Sequence, residues 1–393
     1  MNKLAIKDID LKNKTVLVRA DFNVPQDDNL NITDDTRIKA TLPTIKYILE
    51  QRAKKLVLMS HLGRPDGKVV AKYSLKPVAL RLAELLKEPV KFLNDCVGDN
   101  IKQEIVKAQE RIILLENLRF HAEEEKNDAG FAKQLASLAD IFVNDAFGAA
   151  HRAHASTEGI AHYLKSAAGF LLEKEIQYLG NAIQNPQKPF MVILGGAKVS
   201  DKIGVIENLL PKCDAILIGG GMAYTFLSAQ GKPIGNSKLE KDKLDLAKSI
   251  LDKAKAAKIE ILLPIDHVVV DNIDEKAKTE IVGENIPERK IAVDIGPKTI
   301  NLFKEKLKGA STIVWNGPLG IFEIESFSKG TQEVAKFIGS LKATTIIGGG
   351  DTAAAVAKFG LEDKMTHIST GGGASLEFLE GKNLPGIAAL TDR

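Results

Sequence analysis

The stretch FMVILGGAKVSDK, residues 190–202, decides the fold. Five apolar residues, Phe190 to Leu194, run into Gly195-Gly196, and Lys198 and Lys202 then bracket Val199-Ser200-Asp201 at a helix start. A short apolar run closed by glycine reads as a buried strand feeding a helix. The pattern repeats outward in both directions. Strand-like runs fall at 15–18, 56–59, 112–115 and 141–143, and again at 215–218, 261–263, 312–315, 344–347 and 367–369. Helical patterns lie between them, including 38–51, 75–86, 131–138, 244–257 and 327–341. Strands alternating with helices of this length predict parallel βαβ units with helices on both sheet faces. Ligands of such sheets collect beyond the carboxyl ends of the strands, so the residues that follow each strand carry the functional information.

Those residues differ between the two halves. In the first half they are polar and cationic: Arg19-Ala20-Asp21-Phe22-Asn23, Ser60-His61-Leu62-Gly63-Arg64, Glu116-Asn117-Leu118-Arg119-Phe120-His121, and Asn144-Asp145 leading to His151-Arg152-Ala153-His154. In the second half they are glycine-rich: Gly195-Gly196, Gly219-Gly220-Gly221, Asn316-Gly317-Pro318, Gly348-Gly349-Gly350-Asp351-Thr352 and Gly371-Gly372-Gly373. The shift predicts two α/β domains with different binding chemistry. A helical stretch at 171–179, followed by Asn185-Pro186-Gln187-Lys188-Pro189, marks the junction.

Composition narrows the class. The chain has 393 residues, 54 Lys+Arg against 51 Asp+Glu, and a formal net charge of +3. That length favours more than one core. The near balance of charge argues against a dedicated nucleic-acid or membrane-surface protein, which needs a broad basic field. Two cysteines, Cys96 and Cys213, exclude a disulfide scaffold and fit a reducing compartment. The first residues, MNKLAIKDIDLKNK, lack a signal-peptide core, and no apolar run nears the roughly 20 residues of a membrane helix. A soluble cytoplasmic protein is expected.

Glycine between strand and helix lets backbone amides approach a phosphate, aided by the helix dipole. A single such turn is weak, since glycine serves any tight connection; several in one half favour a nucleotide site. Neither G-x-G-x-x-G nor G-x-x-x-x-G-K-[ST] occurs, so the common dinucleotide and Walker signatures are missing. Lys198 and Lys202 would share a face if their segment is helical, at an end where lysine opposes the dipole unless a phosphate is bound. Asp351-Thr352 offers hard oxygens suited to Mg²⁺ on nucleotide phosphates, or plain helix capping. In the first half Arg19, Arg37, Arg64, Arg119 and Arg152 fall at or near strand ends, with His61, His121, His151 and His154 among them. One arginine is an ordinary surface cation, but the set beside Asp21 and Asn23 favours an anionic-substrate pocket. A metal centre is disfavoured, as neither HExxH nor CxxC occurs. An anion pocket in one domain and a nucleotide cradle in the other suggest phosphoryl transfer, which needs positioning and charge neutralisation more than covalent help. A carboxylate acceptor would need no general base.

These motifs resemble the phosphoglycerate kinase family along essentially the whole chain. The carrying segments are 18–25, 60–65, 116–121, 145–154, 194–202, 315–323, 348–352 and 369–375. The resemblance implies an α/β enzyme of two Rossmann-like three-layer domains with mainly parallel sheets, joined by an interdomain helix and hinge. It implies reversible Mg²⁺-dependent transfer from 1,3-bisphosphoglycerate to ADP, giving 3-phosphoglycerate and ATP in glycolysis, by a cytoplasmic monomer. Residues 1–170 would bind 3-phosphoglycerate, 171–186 would link, and 187–383 would bind nucleotide, with the tail from about 384 to 393 returning to the first domain. By family position Asp21, Asn23, His61, Arg64, Arg119 and Arg152, with Phe22, Leu62 and Gly63 of the same motifs, look like the 3-phosphoglycerate site. Arg37 would reach the moving phosphoryl group from that side. Lys202, assisted by Lys198, would reach it from the nucleotide side, and the amides of Gly371, Gly372 and Gly373 would meet it. Gly195, Gly296, Asn316, Glu323, Gly349, Gly350, Asp351 and Thr352 look like nucleotide contacts, with Glu323 on the ribose and Asp351 on Mg²⁺. Ala149 stands where the family often has Thr, removing a hydroxyl, and Ala20 reads as neutral packing. Two rivals remain at this point: a dehydrogenase-like enzyme, which lacks its fingerprint, and a non-catalytic nucleotide-binding protein of the same fold.

Overall fold

The computed structural model describes residues 2–393. Two compact units emerge: residues up to Gln177 together with Asn383–Arg393, and Tyr178–Lys382.

The first unit is built on strands β1 (Thr15–Arg19), β2 (Lys55–Met59), β3 (Val90–Phe92), β4 (Ile112–Leu114), β5 (Ile141–Asn144) and β6 (Ser166–Ala168). They form one sheet in the order β3-β4-β2-β1-β5-β6, with every pairing parallel. Its helices are α1 (Thr36–Glu50), α2 (Lys76–Leu86), α3 (Asp99–Lys107), α4 (Ala122–Glu125), α5 (Ala129–Ala136) and the start of α6 (Phe170–Gln184). Val16, Val18, Leu56, Leu58, Ile112, Leu114 and Val143 pack with Ile38, Ile45, Ile48 and Leu82 in the core. Central strands covered by helices on both faces read as unbroken apolar runs, which is why their sequence signal is strong. The tail joins this unit through Leu4 N–H to Thr391 O at 2.9 Å and Asn144 Nδ2 to Gly386 O at 2.9 Å.

The second unit contains β7 (Phe190–Leu194), β8 (Ala215–Ile218), β9 (Glu260–Leu262), β10 (His267–Val270), β11 (Glu280–Val282), β12 (Ile291–Ile295), β13 (Thr312–Asn316), β14 (Thr344–Gly348) and β15 (His367–Ile368). Six of them make a parallel sheet, β15-β14-β13-β7-β8-β9, and three make an antiparallel sheet, β11-β10-β12. Helices α7 (Ile203–Leu209), α8 (Met222–Ala229), α9 (Leu244–Ala256), α10 (Pro297–Leu307), α11 (Lys329–Ile338), α12 (Gly350–Lys358) and α13 (Gly373–Leu379) belong to this unit, and α14 (Pro385–Ala388) lies in the tail.

Three features depart from the sequence reading. The antiparallel sheet was not foreseen: β11 is a three-residue edge strand with little buried surface, and β10 and β12, though apolar and largely buried, lie outside the strand-like runs read from the sequence. β3 and β6 were also missed, since Val90–Phe92 is three half-buried residues and Ser-Ala-Ala carries no β-branched signal. The Lys198–Lys202 segment is not helical: α7 begins at Ile203, with Lys202 at its N-cap and Lys198 in the preceding loop. The two lysines are therefore not related by a helical face.

Candidate active site

In both parallel sheets the chain reverses its direction of strand addition beside the first strand. Ligands of open α/β sheets bind at such points. In the first unit the reversal lies between β1 and β5, whose ends align at Arg19 and Asn144. In the second it lies between β7 and β13, where Leu194, Asn316 and Gly348 are in register.

The turns of the first unit hold one another through side chains. Asn23 Oδ1 accepts the Gly63 amide at 2.9 Å, and the Gly63 carbonyl accepts Arg119 Nη1 at 2.9 Å. Gly63 has φ +62°, and a Cβ there would meet the Tyr73 ring at 2.3 Å, so glycine is required. Asp21 Oδ2 takes Arg37 Nη1 at 2.7 Å, and its Oδ1 accepts the Asn23 amide at 3.2 Å. Phe22 and Leu62 point into the core and contribute backbone: the Phe22 amide donates to Ser60 Oγ at 2.8 Å, and the Leu62 carbonyl accepts Asn117 Nδ2 at 2.7 Å. Arg119 is buried, with Nε 3.1 Å from Glu125 Oε1 but not aligned for a hydrogen bond. Arg152 Nε donates to His151 Nε2 at 3.2 Å. Arg64 is exposed and has no partner among the described residues.

Cations outnumber acids here, and the histidines record it. Burial, then Arg19, Arg119, Arg37 and Arg152, hold His61 well below the usual histidine range. Burial, then Arg119, Arg19, Arg152 and His151, push His154 down to about 3. Two neutral imidazoles among arginines leave an uncompensated positive field that suits a small polyanion.

Glycines in the second unit fall into two groups. A Cβ on Gly195 would lie 2.1 Å from Pro318 O, one on Gly220 2.7 Å from Gly196 N, and one on Gly317 2.2 Å from Gly195 O. These residues let three βα turns pack backbone on backbone. Around Gly196, Gly350 and Gly372, by contrast, a Cβ would meet nothing within 4 Å, so these face open space where a ligand backbone or phosphate can approach. Gly371 donates its amide to Ser369 Oγ at 3.2 Å, which fixes the start of the 371–373 turn.

Lys202 Nζ donates to Asn316 Oδ1, and burial lowers its proton affinity against the pull of Asp201, Asp351 and Glu380. Asn316 is buried, and its Nδ2 has no partner among the described residues, leaving a donor beside Gly348 and Gly349. Lys198 is exposed without a partner among the described residues. Asp351 lies exposed in the first turn of α12 and is not its cap, while Thr352 Oγ1 accepts the Gly317 amide at 2.7 Å. The free Asp351 carboxylate fits a divalent cation held mainly by phosphates. Gly296 sits apart from this group: its space is filled by Asp266, whose carboxylate already accepts the Lys298 and Thr299 amides at the start of α10. Glu323 lines an open cavity of about 910 Å³ with Ser328, Lys329, Gln332 and Lys358. That cavity contains none of the lysines or glycines above. Lys358, at the end of α12, donates to the carbonyls of Phe322 and Glu323 at 2.9 and 2.8 Å, so one helix spans from the glycine turn to the Glu323 loop.

Sequence reasoning missed how Arg19 is used. Its Nε donates to Ser156 Oγ at 2.8 Å, and Ser156 in turn donates to the fully buried Glu124 at 2.5 Å. Glu124 lies within a run of three glutamates, which reads as a solvated face. Among the described residues, Asp95, Cys96 and His121 have ligating atoms within 4.8 Å of one another, but His121 Nε2 is already 2.7 Å from Asp95 Oδ1. No helix among the described residues is long and apolar enough to cross a membrane.

The family model for phosphoglycerate kinase matches residues 6–382. The chain is 60% identical over 405 aligned residues to a phosphoglycerate kinase of Koribacter versatilis, with all of both chains covered. It is 56% identical over 396 to that of Pseudothermotoga lettingae, again with full coverage. Among solved structures it superposes on phosphoglycerate kinase from Coxiella burnetii with a TM-score of 0.91 at 45% identity, and on that from Pyrococcus horikoshii with 0.84 at 36%, each covering 98% of both chains.

Proposed function

The chain belongs to the phosphoglycerate kinase family, and from that premise we propose how its residues divide the work. The activity is phosphotransfer with a carboxyl group as acceptor, in glycolysis. The surplus of guanidinium groups around the neutral His61 carries the assignment of the acceptor side.

In this reading 3-phosphoglycerate binds in the first unit. Its phosphate lies among Arg64, Arg119 and Arg152, and its carboxylate end lies near Asp21, Asn23, His61 and Arg37, with the Phe22–Gly63 turns supplying backbone. The acceptor carboxylate is already a nucleophile, so no residue must remove a proton from it. Arg37 neutralises charge on the moving phosphoryl group from this side. Lys202, with Lys198, does so from the nucleotide side, and the amides of Gly372 and Gly373 add donors; the Gly371 amide, expected to join them, is taken by Ser369 Oγ. A transition state with charge spread over three oxygens is stabilised by such positioned donors.

Nucleotide phosphates approach the open glycines of the second unit, with Asn316 Nδ2, Gly349, Gly350 and Thr352 alongside and Glu323 toward the ribose. Gly195 serves by packing the β7 turn, and Gly296 is the weakest member of the set because Asp266 occupies its surroundings. Asp351 would hold Mg²⁺, which when bound neutralises phosphate charge. Closure of the two units about the α6 region would exclude water from the acyl phosphate, whose hydrolysis wastes the phosphoryl group. Both substrate sites are assigned within one chain, which fits a monomer, and two buried free cysteines fit the cytoplasm.

Arg37→Ala and Lys202→Ala test this division. Each is expected to lower kcat by about 10²–10³-fold while calorimetric binding of 3-phosphoglycerate and ADP changes by less than about tenfold. Turnover within a few-fold of wild type in either variant would overturn that residue's assignment.

A further inference from the structure

Arg19 differs from the other arginines of the first unit in being committed wholly inside the protein. It is 1% exposed, and each of its three nitrogens has a protein partner: Nε on Ser156 Oγ at 2.8 Å, Nη1 on the Ala20 carbonyl, and Nη2 at 3.1 Å from His61 Nδ1. Ser156 has one hydroxyl proton, and it goes to Glu124 Oε1 at 2.5 Å, so its lone pair is free to receive Arg19. The Ser156 amide also donates to Glu124 Oε2 at 2.9 Å. Donation therefore runs outward from Arg19, to His61 Nδ1 on one side and through Ser156 to the buried Glu124 carboxylate on the other.

The last contact fixes chemistry at His61. A guanidinium carries donors only, so Nδ1 of His61 must be the acceptor. A neutral imidazole with a bare Nδ1 has its proton on Nε2. Nε2 has no partner among the described residues and is not among the atoms sealed from solvent. We propose that Arg19 is a positioning residue that holds His61 as an Nε2–H donor toward a substrate oxygen. The proposal rests on the reading of His61 as a 3-phosphoglycerate contact. The groups facing His61 are Arg19, Arg37, Arg119 and Arg152, with Asp21 paired to Arg37 and Glu124 reached through Ser156. A protonated imidazole would add one more cation to this set. With Arg19 in place, His61 offers a proton without adding a charge.

The test is nitrogen NMR on protein labelled at histidine with ¹⁵N. In the free wild-type enzyme at pH 7, His61 should show a protonated Nε2 and a bare Nδ1. A protonated Nδ1, or an imidazolium, would overturn the proposal without any variant being made. Adding 3-phosphoglycerate should then shift the Nε2–H signal. An unmoved signal with the tautomer intact would remove His61 from the substrate site, and with it the donor role. Arg19→Met should let His61 protonate at higher pH and raise the KM for 3-phosphoglycerate about tenfold, the scale of one hydrogen bond, with kcat changed less than about threefold. Arg19→Lys, which can still donate to Nδ1, should recover part of that KM. A folded Arg19→Met protein with unchanged His61 signals and KM would contradict the proposal. Should Glu124, left without its cation, prevent that variant from folding, His61→Gln and His61→Asn decide: Gln, whose amide reaches the Nε2 position, should keep substrate binding better than Asn. Equal losses would count against the proposal.

Discussion

Thr352 Oγ1 accepts the backbone amide of Gly317 at 2.7 Å, joining the first turn of α12 to the turn after β13. The hydroxyl is therefore tied to the protein before any ligand arrives, and Asp351 next to it is left free. Gly317 itself has φ +102° and lies against Gly195. Within one glycine-rich face, then, some glycines hold turns together and others leave space.

That division predicts opposite outcomes for two equivalent substitutions. Gly317→Ala should cost about 2–4 kcal/mol of stability, because a Cβ meets backbone in a left-handed conformation. Gly350→Ala places its methyl in open space at a helix start. It should melt within about 0.5 kcal/mol of wild type yet lose about tenfold or more in ADP affinity by calorimetry. Equal destabilisation of both, or full ADP affinity in Gly350→Ala, would refute the division.

Arg64 is exposed and makes no hydrogen bond or ion pair among the described residues, so its removal disturbs little else. Arg64→Ala should raise the KM for 3-phosphoglycerate about 10- to 100-fold and lower kcat by less than about fivefold, the pattern of lost ground-state and transition-state binding together. Steady-state kinetics with each substrate varied would reveal it. An unchanged KM would remove Arg64 from the phosphate contacts.

Asp145 is fully buried beneath the start of α6 and accepts the Leu171 amide at 2.9 Å and the Leu172 amide at 3.3 Å. Burial raises its carboxyl to about 7 against the effect of Thr44 and those amides. The folded protein thus binds this proton more tightly than the unfolded chain does. The stabilisation from this group is complete in acid, below the ordinary carboxyl range, and is lost as pH rises to about 7, at no more than about 1.4 kcal/mol per pH unit. Asp145→Asn keeps an acceptor for the amides and removes the titration. Relative to wild type, the variant should be more stable at pH 8 than at pH 5 in melting curves. Asp294, also raised to about 7 by burial, leaves a similar slope in both proteins. Parallel profiles for the two proteins would contradict the assignment.

Most of the parallel framework was legible because buried strands such as Phe190–Leu194 are apolar throughout and end in turn-forming residues. The cationic turns of the first unit were equally legible, since arginines at successive strand ends converge whatever the exact loop path. Contacts set by three-dimensional closure were not. Nothing in the sequence marks Glu124 as the buried member of its acidic run, or Arg19 as the arginine that faces inward. The division among glycines was hidden for the same reason: Gly317 and Gly350 read alike until the β7 turn is seen packed against the β13 turn. The Lys198–Lys202 spacing suggested a helical face that the loop before α7 does not form.

The most direct measurement is ATP consumption with 3-phosphoglycerate and Mg²⁺, coupled to reduction of the acyl-phosphate product by its dehydrogenase. The predicted result is a rate that requires all three components and is nearly abolished in Lys202→Ala. Absence of that rate in a folded protein that still binds ADP would contradict the account, as would a rate indifferent to 3-phosphoglycerate.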